Sequence, residues 1–392
     1  MSMSAREPVR IGIAGMGAAG RAFIAALQSH PGMHWVAVAD PSTEVLAEMA
    51  AEHGVAGYAS LEELLRHPGL DALYIATPTD LHPAHVALAA EAGKHVLVEK
   101  PMSVRIDQAR AMIAAADAAR VVLMVGHSHS YDLPIREMRK LIAGGEMGNV
   151  LMANTWCFTD WVYRPRRPEE LDDAQGGGVT YRQGAHQVDV LRLLCGGRVR
   201  SVRARAFDAD PARPVTGAHA IYLDFEDGPV ATAIYNGYAG MPSAELCFGI
   251  GEWGHPAGMP ARRNAPQVSP EGVLRAKRER ARGAIPAAAP NQPFFGLTVV
   301  HCERGDIRQS PQGLYIYAEG QRREIVLRND LSPRDLAVAE FHDAIRGIAP
   351  PLHDGRWGLA NLETCAAALE SSATRREIFL KHQIAAPAGI AR

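Results

Sequence analysis

Short apolar runs alternate with longer amphipathic segments over the first 125 residues. Apolar runs of this length that end in turn residues are typical of buried strands, and the longer segments have the spacing of helices with one apolar face. Strands that alternate with helices predict a parallel sheet covered by helices on both faces. The predicted strands are Val9–Ala14, Trp35–Ala39, Leu73–Ala76, His95–Val98 and Val121–Val125, and the predicted helices are Arg21–Ser29, Thr43–Glu52, His82–Ala92 and Ile106–Ala119.

The pattern changes after residue 128, where strand-like stretches follow one another with fewer helices between them. A helix near Pro134–Ala143 precedes the first of these strands, and two helices close the chain. This change predicts a second sheet and therefore a second domain. The strands are Val150–Phe158, Arg200–Phe207, Ala218–Phe225, Val230–Asn236, Tyr315–Ala318 and Glu324–Leu327, and the closing helices begin at Pro333 and cover Leu359–Lys381.

The segment 251–293 interrupts this pattern, because it is rich in proline, alanine and arginine. We expect a mobile insertion with one short basic helix around the run RAKRERAR at 275–282. The basic run does not predict a nucleic-acid site, since no aromatic residues lie within it.

Composition narrows the function classes further. A chain of 392 residues is longer than a single hydrophobic core usually supports, which predicts two domains. The net charge of −2 gives no overall attraction to nucleic acid or to a membrane surface. The five cysteines are scattered and lack metal-site spacing, so we expect reduced thiols and neither disulfides nor a zinc site. No apolar run has the length of a membrane span or of a secretory signal, which favours a cytoplasmic protein.

A glycine-rich turn, Gly15-Met16-Gly17-Ala18-Ala19-Gly20, joins the first strand to the first helix. Gly15 permits a tight turn, Gly17 lets the backbone approach a pyrophosphate, and Gly20 lets the helix pack closely on the strand. The helix start at Ala18 and Ala19 presents free N–H groups to phosphates. This turn predicts a dinucleotide-binding domain.

Asp40 ends the second predicted strand, twenty residues after Gly20. A carboxylate in this place accepts hydrogen bonds from ribose hydroxyls and repels a 2′-phosphate. The following Pro41 and Ser42 bring no cation that would neutralise such a phosphate. We therefore expect NAD to be preferred over NADP.

The run GGGVTYRQGAHQVD, residues 176–189, combines three glycines with a cation and an imidazole. Arg182 and His186 are four residues apart, so a helix would place them on one face. A titratable ring beside a permanent cation indicates an anionic substrate. Asp189 either orients His186 or lies at a helix cap or on the surface.

The glycine turn, Asp40, the run ATPTDLH at 76–82 and the turn Glu99-Lys100-Pro101 occur in an order that resembles the Gfo/Idh/MocA oxidoreductase family. The resemblance implies an α/β protein. It has an NAD-binding Rossmann domain with a parallel sheet over residues 1–127. It also has an α/β domain with a large open, mainly antiparallel sheet over 128–392, for substrate binding and oligomerisation.

The same resemblance assigns roles to residues of the first domain. Lys100 reaches the reacting hydroxyl, and Glu99 and Pro101 shape the turn that presents it. Lys100 lies just beyond the carboxyl end of a parallel strand, where open α/β sheets bind ligands, and a lysine there is suited to proton transfer. The residues implied to line the cofactor cleft are Thr77, Pro78, His82 and Glu99, together with Lys100.

In the second domain, His186 takes the position of the family's catalytic histidine. Arg182 stands where the family commonly has an aspartate, which matters because an arginine accepts no hydrogen bond and cannot act as a base. Its fork of N–H donors suits a carboxylate. This departure favours a carboxylated substrate over a sugar.

Four runs, beginning at Thr159, Gln175, Cys302 and His353, resemble the branch of this family that oxidises phthalate 4,5-cis-dihydrodiol. That branch implies oxidation of the diol to a catechol with formation of NADH, a small-molecule substrate, and a homo-oligomer, either a dimer or a tetramer. The expected substrate-binding residues are Arg182, Arg164, Arg166, His127 and Tyr181, with Arg167 as a further candidate.

Other interpretations stay open at this point. The chain also fits a sugar or cyclitol dehydrogenase of the same family, or a non-catalytic NAD-binding regulator. His127 and His129 have a spacing that permits metal binding, but without a carboxylate or thiol cluster we expect substrate contact and no metal. The charged run at 302–310 is expected to form salt bridges on a solvated face.

Overall fold

The computed structural model describes residues 7–259, 272, 276 and 289–387. The chain divides into two compact units at Gly126/His127, close to the expected boundary. The first unit also includes Arg334–Gly358, which we had expected in the second domain. Most of the segment 251–293, including the basic run at 275–282 apart from Ala276, lies outside the described residues.

In its described part, the first unit contains a six-stranded parallel sheet in the order β3-β2-β1-β4-β5-β6. This is the expected Rossmann arrangement, and the strand order reverses between β1 and β4. The strands are β1 (Val9–Ala14), β2 (Met33–Ala39), β3 (Ala56–Tyr58), β4 (Ala72–Ile75), β5 (His95–Glu99) and β6 (Leu123–Gly126). The helices are α1 (Ala18–Ser29), α2 (Thr43–His53), α3 (Leu61–Leu64), α4 (His82–Glu91) and α5 (Ile106–Ala119).

Burial explains why these apolar runs become central strands. Every residue of β4 and β6 is buried, and so are Ile11 and Ile13 of β1. Strands that are apolar on both faces must be covered on both faces. The short β3 and α3 were not predicted, because their residues Ala56–Leu64 carry too few apolar positions to show a period.

The second unit is built on a mixed sheet, which has nine strands within the described ranges, in the order β14-β13-β12-β11-β7-β10-β9-β8-β15. Only β7 and β10 pair in parallel there, so the predicted mainly antiparallel sheet is confirmed. The strands are β7 (Val150–Phe158), β8 (Val199–Phe207), β9 (Ala218–Phe225), β10 (Val230–Asn236), β11 (Leu297–Cys302), β12 (Gly305–Ser310), β13 (Gly313–Ala318), β14 (Gln321–Val326) and β15 (Ile378–Phe379), and the helices are α6 (Leu133–Ala143) and α7 (Ala185–Leu194).

Strands β11 and β12 form a hairpin where we expected a charged, solvated face. Ile307, Gln309 and Ser310 are buried, whereas His301 pairs with Asp306 at the surface, with Nδ1 and Oδ1 2.6 Å apart. The alternation of buried and exposed positions identifies a half-buried strand. The polar residue Gln309, which shares the buried face with Ile307, hid this pattern in the sequence.

Helix α7 lies against the sheet with all ten of its residues buried. Gln187 ties it to two strands, because its side-chain amide donates to the carbonyl oxygens of Thr155 in β7 (3.4 Å) and Ile234 in β10 (3.1 Å). The helix that carries His186 is therefore fixed by apolar packing and by buried hydrogen bonds.

Helices α8 (Pro333–Ile345) and α9 (Gly355–Thr374) lie between β14 and β15 in sequence. The segment 334–358 nevertheless belongs to the first unit, where the backbone N–H of Val125 donates to the carbonyl of His353 at 2.8 Å. His353 and Trp357 are completely buried. The run HDGRWG at 353–358 is therefore part of the first unit and not of the substrate domain.

No helix among the described residues is long and apolar enough to cross a membrane. All five cysteines are buried free thiols.

Candidate active site

The glycine turn of the first unit has no room for side chains at two of its three glycines. Gly15 has φ of 93°, and a Cβ there would lie 2.7 Å from the carbonyl oxygen of Ala76. A Cβ on Gly20 would lie 2.1 Å from the carbonyl oxygen of Gly15. At Gly17 a Cβ would meet nothing within 4 Å. Gly17 thus leaves the backbone open to an approaching ligand, just before α1 begins at Ala18.

Asp40 is held in place by the backbone on either side of it. Its Oδ2 accepts a hydrogen bond from the N–H of Met16 (2.9 Å), and its Oδ1 accepts one from the N–H of Ser42 (3.0 Å). The carboxylate therefore has a fixed direction at the carboxyl end of β2. It also fastens the glycine turn to that strand.

A partly buried ion pair that the sequence did not reveal supports the same turn. The two terminal guanidinium nitrogens of Arg21 each lie 2.9 Å from a carboxylate oxygen of Glu48, and its Nε donates to the carbonyl of Met16 at 3.3 Å. These partners are 27 residues apart, so only the packing of α1 against α2 brings them together. Bidentate pairs of this kind fix orientation as well as charge.

His82 connects two turns that the sequence analysis treated separately. Its Nδ1 lies 3.1 Å from the carbonyl oxygen of Pro101, and its Nε2 lies 3.0 Å from that of Thr77. Burial lowers the pKa of His82 to about 4, so the ring is neutral at pH 7 and donates to one carbonyl at a time. We expected His82 on the wall of the cofactor cleft, but the structure buries it and gives it a positioning role.

Lys100 follows the carboxyl end of β5, as expected, and its neighbour Glu99 is held by two donors. The Tyr74 hydroxyl donates to Oε1 of Glu99 (2.5 Å), and the N–H of Lys100 donates to Oε2 (3.2 Å). Burial, together with the Glu99 charge, raises the pKa of Tyr74 well above its usual range, which keeps the phenol a donor. Tyr74 looked like a core residue of β4 in the sequence, and nothing there signalled this contact.

The first unit therefore carries the features that a dinucleotide needs. The cradle formed by Gly15, Gly17 and Gly20 has no room for side chains on the strand side, and the N-terminus of α1 faces the open side with Ala18 and Ala19. Asp40 supplies a fixed acceptor. Thr77, whose hydroxyl lies 3.0 Å from Nδ1 of His85, and Pro78 follow β4 at the adjacent strand end.

The glycine-rich run of the second unit does not lead directly into an α-helix. Residues Thr180–Gly184 form a π-helical turn, and the α-helix begins at Ala185. Gly178 has φ of 73°, and Nε of Arg182 donates to the carbonyl of Gly176 at 3.0 Å. Wide turns of this type occur frequently at functional sites, because they redirect the side chains that follow.

A buried histidine packs against the π-helical turn and supports it. His219 in β9 lies against Gly184, where a Cβ would come within 2.8 Å of its ring. Its Nδ1 is 3.1 Å from the Thr180 hydroxyl, and its Nε2 is 3.0 Å from Oε1 of Gln187. Burial lowers the pKa of His219 to about 3, so it acts as an uncharged link. No feature of the sequence indicated that this strand residue supports the turn.

His186 is buried, and the rings around it are aromatic. The His129 ring meets it edge to face, with ring centres 4.7 Å apart, and the Phe295 ring does so at 5.1 Å. Phe295 also stacks on His129 at 4.2 Å, and Trp253 lies 5.2 Å from His129. Apart from His186 and His129, none of these rings was expected at the site, because Trp253 lies within the segment 251–293 that we predicted to be a mobile insertion, and Phe295 lies just after it.

His129 is held between two carboxylates. Its Nδ1 lies 3.1 Å from Asp132 and its Nε2 lies 3.4 Å from Glu252. Burial alone would lower the pKa of His129, but the charges of Asp132 and Glu252 and their hydrogen bonds raise it to about 9. At pH 7 the ring is therefore an imidazolium.

His127 lies in a different environment, although we expected it to contact substrate. It is 2% exposed, and its Nε2 lies 3.1 Å from the side-chain amide nitrogen of Asn361. The same amide nitrogen donates to Asp189 at 3.0 Å, and Arg192 donates to the Asn361 oxygen at 2.7 Å. Asp189 is completely buried and thus is not a surface residue. His129, and not His127, is the histidine that packs on His186.

The arginines that precede the glycine run are engaged with their own loop. Arg164 pairs with Asp160 at 2.7 Å, and Arg167 pairs with Glu169 at 2.9 Å. Arg166 lies 3.9 Å above the Trp161 ring, and its Nε donates to the carbonyl of the same residue at 3.1 Å. These contacts order the loop.

Two further expectations concern Tyr181 and metal binding. Tyr181 is 9% exposed, and burial raises its pKa to about 12, so its hydroxyl is a neutral donor. Over the ranges that the structure describes, no three histidine, cysteine or carboxylate side chains form a group that could hold a metal ion.

Comparison with known proteins finds one family in both halves of the chain. Residues 9–127 match the model of the Gfo/Idh/MocA oxidoreductase family, NAD-binding Rossmann fold, and residues 135–249 match the C-terminal domain of that family. The 1-carboxy-3-chloro-3,4-dihydroxycyclohexa-1,5-diene dehydrogenase of Comamonas testosteroni is 38% identical over 304 residues, which cover 75% of this chain and 77% of that protein.

Two other relatives show the range of the similarity. An NADP-dependent scyllo-inositol 2-dehydrogenase of Bacillus subtilis (strain 168) is 31% identical over 121 residues, 30% of this chain and 33% of that protein. The crystal structure of a dehydrogenase from Bordetella bronchiseptica RB50 superimposes with a TM-score of 0.84 and 38% identity, over 95% of this chain and all of that chain.

The glycine turn gives a first prediction. Gly20→Ala should lower the free energy of unfolding by at least about 2 kcal/mol, because the new methyl group collides with the backbone of Gly15. Gly17→Ala, the matched variant at an open position, should cost less than about 1 kcal/mol but weaken NAD binding at least about tenfold. Urea unfolding and NAD titration measure the two effects, and equal stability losses would contradict this division of roles.

A second prediction concerns His82. His82→Leu should lower the free energy of unfolding by roughly 1–3 kcal/mol, because the buried carbonyls of Thr77 and Pro101 lose their shared donor. The same change at the exposed His34 should cost less than about 0.5 kcal/mol. Thermal and urea unfolding compare the two, and an unaffected His82→Leu protein would show that the link between the turns is dispensable.

Proposed function

The chain belongs to the Gfo/Idh/MocA family of oxidoreductases, and on that premise we propose that it oxidises a carboxylated cyclohexadiene cis-diol to a catechol with NAD. The expected substrate is phthalate 4,5-cis-dihydrodiol or a close analogue. The observation that carries this proposal is Arg182, a cation on the turn before His186, where an aspartate is common in the family. Guanidinium groups bind carboxylates through paired hydrogen bonds.

The Comamonas relative supports a carboxylated ring as the substrate class. Its name specifies a cyclohexadiene with one carboxyl group and two hydroxyl groups on adjacent carbons. The similarity covers three quarters of both chains, and so extends well beyond the nucleotide-binding domain. Phe295 packs on both His186 and His129, and Trp253 packs on the His129 ring. These aromatic side chains suit a flat unsaturated ring better than a sugar.

The proposed reaction removes the proton from one hydroxyl oxygen and a hydride from the ring carbon that bears this hydroxyl, which leaves a C=O bond. When bound, NAD supplies the hydride acceptor. Lys100 or His186 takes the hydroxyl proton, as both are residue types that act in general base catalysis. The ketone that results tautomerises to the catechol, and this gain of aromaticity drives the reaction forward. The protein therefore needs to orient the diol and accept a proton. The first depends on where the diol is bound, and the second on the pKa of the side chain that accepts the proton.

We propose NAD as the preferred cofactor because of Asp40. Its carboxylate is fixed by the N–H groups of Met16 and Ser42, and it would meet the 2′-phosphate of NADP with a like charge. Arg21, the nearest arginine along the chain, is engaged by Glu48 and does not offset this repulsion. A ratio of kcat/KM above about tenfold in favour of NAD is expected, since one such unfavourable contact is worth roughly 1.4 kcal/mol or more.

A sugar or cyclitol dehydrogenase is the second candidate, and the partial similarity to scyllo-inositol 2-dehydrogenase favours it. That similarity covers 30% of the chain, whereas the similarity to the diol dehydrogenase covers 75%. A non-catalytic NAD-binding regulator is the third. A regulator has no need for Lys100 and His186 together, so turnover of any substrate in the panel below eliminates it.

We also infer a homo-oligomer, a dimer or a tetramer, in a cytoplasmic setting. The second sheet exposes large apolar side chains on β7 and β9, the two strands on either side of β10, including Met152 (41%) and Trp156 (42%) of β7 and Tyr222 (43%) of β9. Exposed apolar groups that lie together favour contact with another chain. The buried free thiols support a reducing compartment.

Activity should depend on Lys100. Lys100→Met is expected to lower kcat by at least about a hundredfold while NAD binding changes little, since general acid–base groups contribute on that order. Lys140→Met, which changes an exposed lysine of α6, is the control. NADH formation is measured with phthalate cis-dihydrodiol, an uncharged aromatic cis-diol, and myo-inositol. Near-normal turnover by Lys100→Met would exclude this lysine from the mechanism, and turnover of inositol alone would favour the second candidate.

Arg182 should determine the preference for a carboxylate. Arg182→Asp is expected to raise KM for the dicarboxylate about 10- to 100-fold, because a charged hydrogen bond contributes roughly 1.5–3 kcal/mol. KM for the uncharged diol should change far less, which controls for the lost bond to the Gly176 carbonyl. Equal effects on both substrates would refute the role in carboxylate binding.

A further inference from the structure

His129 stands out among the residues that the mechanism does not use. It is 1% exposed, lies on a 3-10 turn at 129–131, and packs its ring against His186 with ring centres 4.7 Å apart. Phe295 contacts both rings, stacking on His129 and meeting His186 edge to face. The pair is thus enclosed by side chains and shielded from bulk water. In such a buried setting, charges interact over a longer range than they do in solvent.

The charges around His129 come from several parts of the second unit. Asp132, at the start of α6, lies 3.1 Å from Nδ1, and Glu252, after β10, lies 3.4 Å from Nε2. Arg164 lies close enough to Glu252 for their charges to interact, and it is also paired with Asp160. Asp132 and Glu252 thus place a carboxylate near each ring nitrogen of His129.

We propose that His129 is a positioning residue for His186, a buried cation that keeps the neighbouring imidazole uncharged and fixes its ring orientation. The proposal deepens the proposed function, in which His186 is a candidate proton acceptor, and it rests on that role. An imidazole accepts a proton only while it is neutral.

The physical basis is repulsion between like charges at short distance. Protonation of His186 would place two imidazolium rings in contact, which disfavours the charged form. With His186 neutral, the T-shaped contact of the two rings, with ring centres 4.7 Å apart, carries no such repulsion and is favourable. The same contact therefore sets both the charge and the direction of His186. Asp132 and Glu252 hold the cation in place, because their charges raise the pKa of His129 to about 9.

The test is a pH titration of the histidine ring signals by NMR in the full-length protein, with His129 and His186 assigned from their Gln variants. In the wild type, the His129 signal should titrate above pH 8, and the His186 signal should move at that same pH. In His129→Gln, the pKa of His186 should rise by about one unit or more, since a positive charge is lost and two carboxylates remain. In Asp132→Asn, the pKa of His129 should fall by about one unit or more.

His301→Gln is the matched control, because His301 also pairs with an aspartate but lies on the surface of the sheet. It should leave the titration of His186 unchanged. The acidic limb of kcat/KM against pH, measured with the diol, should move upward in His129→Gln by the same amount as the pKa of His186.

The outcomes separate the two proposals. An unchanged His186 titration in His129→Gln, or a wild-type His129 that titrates below pH 7, would overturn the role of His129. If His129→Gln does not fold, the wild-type titration and Asp132→Asn still decide the question. If the NMR shifts occur as expected but no diol is oxidised, the inference about His129 holds and the proposed substrate is wrong.

Discussion

Two buried, uncharged histidines support the segments that carry Lys100 and His186, one in each half of the chain. The geometry of these two candidate site segments depends on them. His82 lies between the carbonyls of Thr77 and Pro101, so it links the turn after β4 to the turn that presents Lys100. His219 lies between Thr180 and Gln187, and it shapes the π-turn that precedes His186. In both places burial keeps the ring neutral. A neutral imidazole offers one donor and one acceptor. His219 lies between a hydroxyl and an amide oxygen that can use both, whereas His82 faces two carbonyl oxygens and donates to one of them at a time.

His129 shows the opposite use of the same side chain. Its burial is as complete as that of His82, yet two carboxylates make the charged form the stable one. The state of a buried histidine thus follows from its partners and not from its burial alone. Three histidines that look alike in the sequence provide two neutral links and one fixed cation.

The sequence predicted those features whose partners are close along the chain. The glycine turn, Asp40 and the Glu99-Lys100-Pro101 turn follow strand ends, so local spacing was enough to place them. The residues missed were those joined by tertiary contacts, such as Arg21 with Glu48, Tyr74 with Glu99, and His219 with Gln187. The sequence could not distinguish His127 from His129, because the two histidines lie only two residues apart. The turn at 129–131 is what gives them different surroundings. The hairpin of β11 and β12 was missed because polar side chains occupy its buried face.

The return of residues 334–358 to the first unit has a consequence for how the chain acquires its structure. Met124 of β6 bridges Asp354, and the glycine at 355 packs so closely on Ile113 and Leu123 that a side chain would not fit. The edge strand of the nucleotide-binding sheet is therefore completed by a segment that the ribosome makes more than two hundred residues later. Domains usually fold as units during synthesis, in order from the N-terminus. The contacts that residues 353–358 make with β6 can therefore form only after that later segment has emerged.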